Sequence, residues 1–111
     1  MITEKNNIPG IIDDEQKGLT LYFLTNPPHA PEKVRMYARA VLSPGGEVYY
    51  HKHEGESESY YILQGEGVYN DNGIESKVSA GDITFTPSGG AHGIRNEGTE
   101  ELHFLALIVL D

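Results

Sequence analysis

A chain of 111 residues is long enough for one domain with one hydrophobic core and too short for two of ordinary size. Its formal charge of −9, from 17 acidic against 8 basic residues, removes the basic footprint expected of a nucleic-acid binder and gives anionic membranes little to attract. The absence of cysteine excludes disulfides, thiolate metal ligands and cysteine nucleophiles, so a metal site would have to use imidazole and carboxylate.

In chain order, Met1–Asn7 lacks the apolar stretch of a secretory signal, and no apolar run approaches the ~20 residues of a membrane-spanning helix. A cytoplasmic protein acting on a small molecule or another protein is the resulting expectation. Leu19 to Thr25 reads as a strand, broken by Asn26-Pro27-Pro28-His29-Ala30-Pro31, because proline removes ladder donors. Val34 to Leu42 is the next strand, closed by Ser43-Pro44-Gly45-Gly46. Val48 to His53 and Glu58 to Gln64 follow, joined by the turn Glu54-Gly55-Glu56-Ser57. Gly67 to Tyr69 leads into Asn70-Asp71-Asn72-Gly73, whose Asn-Gly pair signals a hairpin returning over Ile74 to Val78. Gly81-Asp82 precedes a strand over Ile83 to Thr86, and Leu102 to Leu110 closes the chain as a strand buried between two sheets. Short β-branched and aromatic segments punctuated by Gly and Pro predict an all-β sandwich or barrel. Residues 1–33 form an N-terminal arm and strand, and residues 34–111 form the barrel.

His51 and His53 lie two apart on a predicted strand, so both imidazoles leave the same face about 7 Å apart at Cα. The chain returns antiparallel after the turn and brings Glu58 across from them, where a carboxylate can complete a third coordination position. His92, beside Gly89-Gly90, is the natural candidate for a fourth ligand. Taken singly, each of these residues reads more readily as an ordinary surface or hydrogen-bonded side chain.

Their spacing adds to this. Residues 45–65 read G-x5-H-x-H-x4-E-x6-G, as Gly45, His51, His53, Glu58 and Gly65. Residues 81–96 read G-x5-P-x-G-x2-H-x3-N, as Gly81, Pro87, Gly89, His92 and Asn96. With both motifs matched at every defining position, the sequence resembles the cupin superfamily. The resemblance implies a double-stranded β-helix, or jelly-roll barrel, whose mouth holds one divalent transition metal (Fe, Mn, Ni, Zn or Cu) on His51, His53, Glu58 and His92. Four protein ligands leave an octahedral ion two positions for water, substrate or dioxygen.

By strand parity Tyr60 and Ile62 share the face of Glu58, and Tyr49 that of His51. Tyr60 and Tyr49 are therefore candidates for a pocket wall or a catalytic phenol, unless they simply pack the barrel. Phe85 is a further candidate for the cavity or the core. His103 is a candidate catalytic or substrate-facing group, with a core histidine as the plainer reading. His29 is expected in solvent, and Arg39 is an ordinary surface base or a partner for an acidic substrate. The resemblance implies a metal-dependent dioxygenase, isomerase or lyase acting on a small organic molecule. A non-catalytic module that binds or senses a small molecule is the alternative. It also implies a homodimer, with the contact expected in the residues before Val34, around Leu19 to Leu24.

Overall fold

Alternating burial along the strands shows how this sequence closes into a barrel. In the strand Leu102–Leu110 the even positions Leu102, Phe104, Ala106 and Ile108 are buried and the odd positions are half-buried, the pattern of a pleated strand with one face on a core. The computed structural model describes residues 1–25 and 28–111, so the break read at Asn26 and Pro27 lies outside the described residues. Among the described residues, a 3₁₀ turn at Lys5–Asn7 is followed by nine strands: β1 Gly10–Ile12, β2 Lys17–Phe23, β3 Val34–Lys52, β4 Glu56–Gln64, β5 Glu66–Asp71, β6 Ile74–Ser79, β7 Ile83–Thr86, β8 Ala91–Arg95 and β9 Leu102–Leu110. All pairings are antiparallel, in the order β6-β5-β8-β3-β9-β4-β7, with β2 also on β3 and β1 on β2. The result is the expected all-β jelly roll of the cupin type. No helix among the described residues is long and apolar enough to cross a membrane.

Two separate strands were expected on either side of Ser43-Pro44-Gly45-Gly46, and the structure has one. The first part of β3, Val34 to Leu42, pairs with β9; the last part, Glu47 to Lys52, pairs with β8. The Ser43–Gly46 segment is therefore a corner at which one strand passes from its pairing with β9 to its pairing with β8. Gly45 takes φ +79 there, its N–H donates to the Asn96 carbonyl at 2.9 Å, and Asn96 N–H donates to the Gly46 carbonyl at 2.9 Å. Because these bonds satisfy the backbone through the bend, the strand continues. The Asn96 side chain, 1% exposed, locks the same corner by donating to the Leu42 and Glu100 carbonyls at 2.9 and 2.8 Å and accepting from Gly98 N–H at 3.0 Å.

The Asn72-Gly73 turn has positive φ at both residues, 51 and 96, as a tight hairpin between β5 and β6 requires. Residues 17–23 of the N-terminal segment add to the edge of β3 as part of the barrel sheet. The core between the sheets gathers Leu42, Ile62, Ile94, Leu102 and Phe104, all almost fully buried, and each contributes roughly 1.5–3 kcal/mol by leaving water.

Candidate metal centre

Three strands and one turn bring the motif residues together. His51 and His92 are Cα partners across β3 and β8. Glu58, on β4, points inward at 3% exposure. Just beyond the end of β3, His53 is held by the Pro87–Gly90 turn: its N–H donates to the Gly90 carbonyl at 3.0 Å, and its own carbonyl accepts from Gly89 N–H at 2.7 Å. Gly89 sits at φ +90, a conformation that glycine adopts without strain. One ligand atom from each of His51, His53, Glu58 and His92 lies within 4.8 Å of every other.

The proton inventory of the cluster points to a cation. His51 Nδ1 lies 2.6 Å from the Tyr49 carbonyl, which can only accept, so the Nδ1 proton is donated there and Nε2 keeps its lone pair. His53 Nδ1 lies 2.7 Å from Glu56 Oε2, with the same consequence. His92 Nδ1 lies 2.7 Å from the Tyr69 hydroxyl, which in turn lies 2.8 Å from Thr86 Oγ1. The Tyr69 hydroxyl accepts the His92 Nδ1 proton when it donates to Thr86, and in that arrangement His92 Nε2 is also an acceptor; with the chain reversed, Thr86 donates to Tyr69 and Tyr69 to His92 Nδ1. The His51 and His53 lone pairs thus converge with Glu58 Oε1, and that of His92 joins them when Tyr69 accepts its Nδ1 proton.

Their spacings are 3.0 Å for His51 Nε2 to His53 Nε2, 3.0 Å for His53 Nε2 to His92 Nε2, and 2.9 Å from Glu58 Oε1 to both His53 and His92. Donor atoms bound at about 2.1 Å are about 3.0 Å apart on adjacent corners of an octahedron and about 3.4 Å apart in a tetrahedron. These four spacings match adjacent corners of an octahedron, and the His51 and His53 imidazoles already have the outer acceptors that fix their tautomers. Burial lowers the His51 imidazole below its usual value, and the neighbouring His92 and His53 rings add to this against the Tyr49 carbonyl.

A cavity of about 170 Å³ opens over this cluster. Tyr60 lines it, as parity predicted: the ring is 3% exposed and stacks on His92 with centroids 5.0 Å apart. Burial, reinforced by Glu58, raises its phenol well above the ordinary value, so it holds its proton. Tyr49 differs from the parity expectation. A bulge between Val48 and His51 shifts the register, leaving both Tyr49 and Tyr50 about half exposed, and Tyr49 serves the cluster through its carbonyl. Phe85 is 60% exposed on the outer face of β7, so it belongs to neither cavity nor core. His103 lies on the outer face of β9, between Arg39 Nη1 at 3.0 Å and Glu101 Oε1 at 3.2 Å, and Arg39 also covers the Tyr22 ring at 4.4 Å. Neither His103 nor Arg39 lines the cavity. His29 is exposed.

Sequence reading missed Glu56, Tyr69 and Arg35. Glu56 stood in an acidic stretch that reads as a solvated face. Tyr69 could have been found only from the pairing of β5 with β8, which puts Asp71 opposite His92 and Tyr69 opposite Ile94.

Comparison with known proteins adds kinship to this geometry. A cupin-domain family model matches residues 38–108. The chain is 55% identical over 78 residues to an oxalate-binding protein of Thermotoga maritima, covering 70% of this chain and 64% of that protein. It is 34% identical over 68 residues to an uncharacterized protein of Methanocaldococcus jannaschii, covering 61% and 54%. Each match spans less than two thirds of the relative's length. Among solved structures, a predicted oxalate decarboxylase from Thermotoga maritima superposes over the whole of both chains with a TM-score of 0.92 and 41% identity. The polyketide cyclase RemF from Streptomyces resistomycificus superposes with a TM-score of 0.84 at 19% identity, over all of this chain and 80% of that one, and shows the fold alone. With both sequence motifs folded into one histidine–glutamate cluster and the family model covering most of the barrel, this chain belongs to the cupin family.

Proposed function

We propose that His51, His53, Glu58 and His92 hold one divalent transition metal and that the cavity above them takes up a small carboxylic acid through that metal. The observation that carries this reading is the convergence of four ligand atoms, 2.9–3.0 Å apart along four of their contacts, with the Nδ1 protons of His51 and His53 committed to acceptors outside the cluster and the Tyr69 hydroxyl beside that of His92. Such a cluster is unfavourable without a positive charge at its centre and favourable with one. When bound, the ion supplies Lewis acidity to an oxygen ligand. The residues around it hold the imidazole tautomers, keep one wall dry with Phe104 and Ile108, and place the Tyr60 phenol beside the ligand. Oxalate is the first acid to test, because relatives at 55% and 41% identity carry that acid in their names.

The test is isothermal titration of oxalate into protein loaded with manganese, iron, nickel, copper or zinc, beside His51→Ala/His92→Ala. One-to-one uptake that disappears in the double variant is the expected result. Absence of uptake with every metal would overturn the reading.

Turnover by carbon–carbon bond cleavage is the second reading, favoured by Asp13 among the residues that line the cavity. Loss of carbon dioxide from a carboxylate leaves an electron pair on carbon, which takes one proton that originates in solvent, and Asp13 is the lining carboxylate that would relay it. Release of formate and carbon dioxide from oxalate, lost in Asp13→Asn, would support a lyase. Retention of oxalate without turnover would establish a binding module.

We also propose that the chain pairs with a second copy of itself, through the outer face of β4, β7 and β9. Tyr61, Leu63, Ile83 and Phe85 are 45, 40, 72 and 60% exposed there, beside the half-buried Leu105, Leu107 and Val109. Tyr61 pairs with both Ile83 and Leu105, which makes the patch continuous across three strands. These four side chains alone expose on the order of 400 Å² of mostly apolar surface, about half of what one partner buries in a standard interface. None of the 17 acidic residues stands among them, which suits pairing of two copies that are each strongly negative. Light scattering should give twice the chain mass for the wild type and one chain mass for Phe85→Asp; a monomeric wild type at micromolar concentration would refute the pairing.

A further inference from the structure

Arg35 is the one lysine or arginine among the described residues that line the cavity over the metal cluster. It is there because of a bulge. Val34 pairs with Val109 and Met36 with Ile108, adjacent residues on β9, so Arg35 is the extra residue between them, and a bulge of this kind re-aims a side chain. Its guanidinium is then held by Glu56: Nε donates to Oε1 and Nη2 to Oε2, both at 2.8 Å. The same carboxylate accepts the His53 Nδ1 proton at 2.7 Å, so a single side chain ties the cation to a ligand of the metal cluster. Arg35 remains half exposed, while Glu56 is 13% exposed. A guanidinium carries five N–H donors. Two go to Glu56, which leaves three on a rigid fork beside the cavity.

Resting on the proposal that this site takes up a carboxylic acid through its metal, we propose that Arg35 is the specificity residue of the cavity. It receives the second carboxylate of a short dicarboxylate whose first end is at the metal, and Glu56 holds it at a fixed distance from His53. A fork held on one edge and open on the other matches a carboxylate in plane and charge, which a lysine would not. The other lining donors, the Gln16 amide and the Tyr60 phenol, are neutral, so Arg35 is the one lysine or arginine among the described lining residues that can meet that end's charge. Leu21, Met36, Phe104 and Ile108 are apolar, and Asp13 would repel it. Short dicarboxylates are therefore selected over monocarboxylates of the same size.

The test compares oxalate with oxamate, which replaces one carboxylate by a neutral amide of nearly the same shape. Both are titrated into metal-loaded wild type, Arg35→Gln and Arg35→Lys, with metal content and thermal midpoint measured on each. Wild type is expected to bind oxalate at least tenfold more tightly than oxamate. Arg35→Gln should lose at least tenfold toward oxalate, change little toward oxamate and keep its metal, while Arg35→Lys should recover only part of the loss. Equal affinity of wild type for the two acids would overturn the role of Arg35 while leaving the metal-and-acid reading intact. So would an equal loss of both acids in Arg35→Gln, or loss of its metal, which would place Arg35 as a support for Glu56 and His53 alone. Should Arg35→Gln not fold, the wild-type comparison and Arg35→Lys still decide. Binding of neither acid by metal-loaded wild type would overturn the underlying reading itself.

Discussion

Removing one oxygen atom from Tyr69 isolates the outer support of one residue of the proposed metal centre, His92. In Tyr69→Phe the ring still fills its place between the sheets, but His92 Nδ1–H loses the acceptor at 2.7 Å and Thr86 Oγ1 loses its partner at 2.8 Å. Both His92 and Thr86 are 0% exposed, so water does not reach the orphaned groups. A buried donor without an acceptor costs about 1–3 kcal/mol, and the Thr86 hydroxyl adds about 1 kcal/mol. For a domain of this size each kcal/mol moves the midpoint by roughly 4 °C, so the metal-free variant should melt about 8–16 °C below wild type. The imidazole has one escape, which is to move its proton to Nε2. That recovers part of the stability but removes the lone pair offered to the metal, so affinity should fall by about 10–100-fold, as for other outer-sphere partners. Thermal unfolding of metal-free protein, together with chelator competition for the loaded protein, reads both quantities. Thr86→Val serves as the control, since it leaves the Tyr69 oxygen in place to accept from His92, and its affinity should stay within a few-fold of wild type. A Tyr69→Phe protein with unchanged midpoint and unchanged affinity would refute the proton assignment on which the centre rests.

Other perturbations have calculable outcomes. Gly65→Ala puts a Cβ 2.6 Å from the Glu101 carbonyl oxygen at φ +87, so it should lower stability by about 2 kcal/mol or more, whereas Gly81→Ala, with φ +96 and open space around the Cβ, should cost about 1 kcal/mol. Equal melting shifts for the two would contradict the steric assignment. Asn96→Ala removes three hydrogen bonds at the β3 corner and should destabilise by about 2–4 kcal/mol in denaturant unfolding, while a loss below ~1 kcal/mol would show that the corner holds without it. Metal-free protein should lose stability on acidification. His51 titrates below the usual imidazole value because of burial, so its contribution is complete above about pH 6.5 and is lost as pH falls toward the folded value. Glu56 is lowered chiefly by Arg35, and its contribution is lost further down, below the ordinary carboxylate range. A midpoint that is flat or rising from pH 7 to pH 4 would contradict the direction for His51, and one that is flat or rising on further acidification below pH 4 would contradict that for Glu56.

The sequence made the clustering of His51, His53, Glu58 and His92 legible because the cupin motifs fix spacing directly. Two residues along a strand return a side chain to the same face, and a short turn returns the chain to the opposite strand, so His51, His53 and Glu58 could be placed together without a structure. Strands bounded by strong turn chemistry were also legible: β7 and β9 begin and end at the expected residues, and Asn72-Gly73 turns as an Asn-Gly pair should. Parity failed at bulges. The irregularity between Val48 and His51 sent the Tyr49 ring outward, and the one between Val34 and Met36 turned Arg35 inward. A bulge adds one residue through local pairing and leaves no compositional mark. Ser43–Gly46 misled for a related reason, since a proline–glycine corner within a strand has the same composition as a turn between strands. His103 has the residue type of a site histidine, but its position on β9 is odd, and the odd positions of that strand face away from the core.

The most direct measurement is elemental analysis of protein purified without a histidine tag, beside His51→Ala/His92→Ala. Close to one equivalent of manganese, iron, nickel, copper or zinc per chain in the wild type, absent from a double variant that still folds, is the expected result. Wild-type protein that stays metal-free after reconstitution, or a double variant that keeps its metal, would contradict the assignment of these four residues as one metal centre.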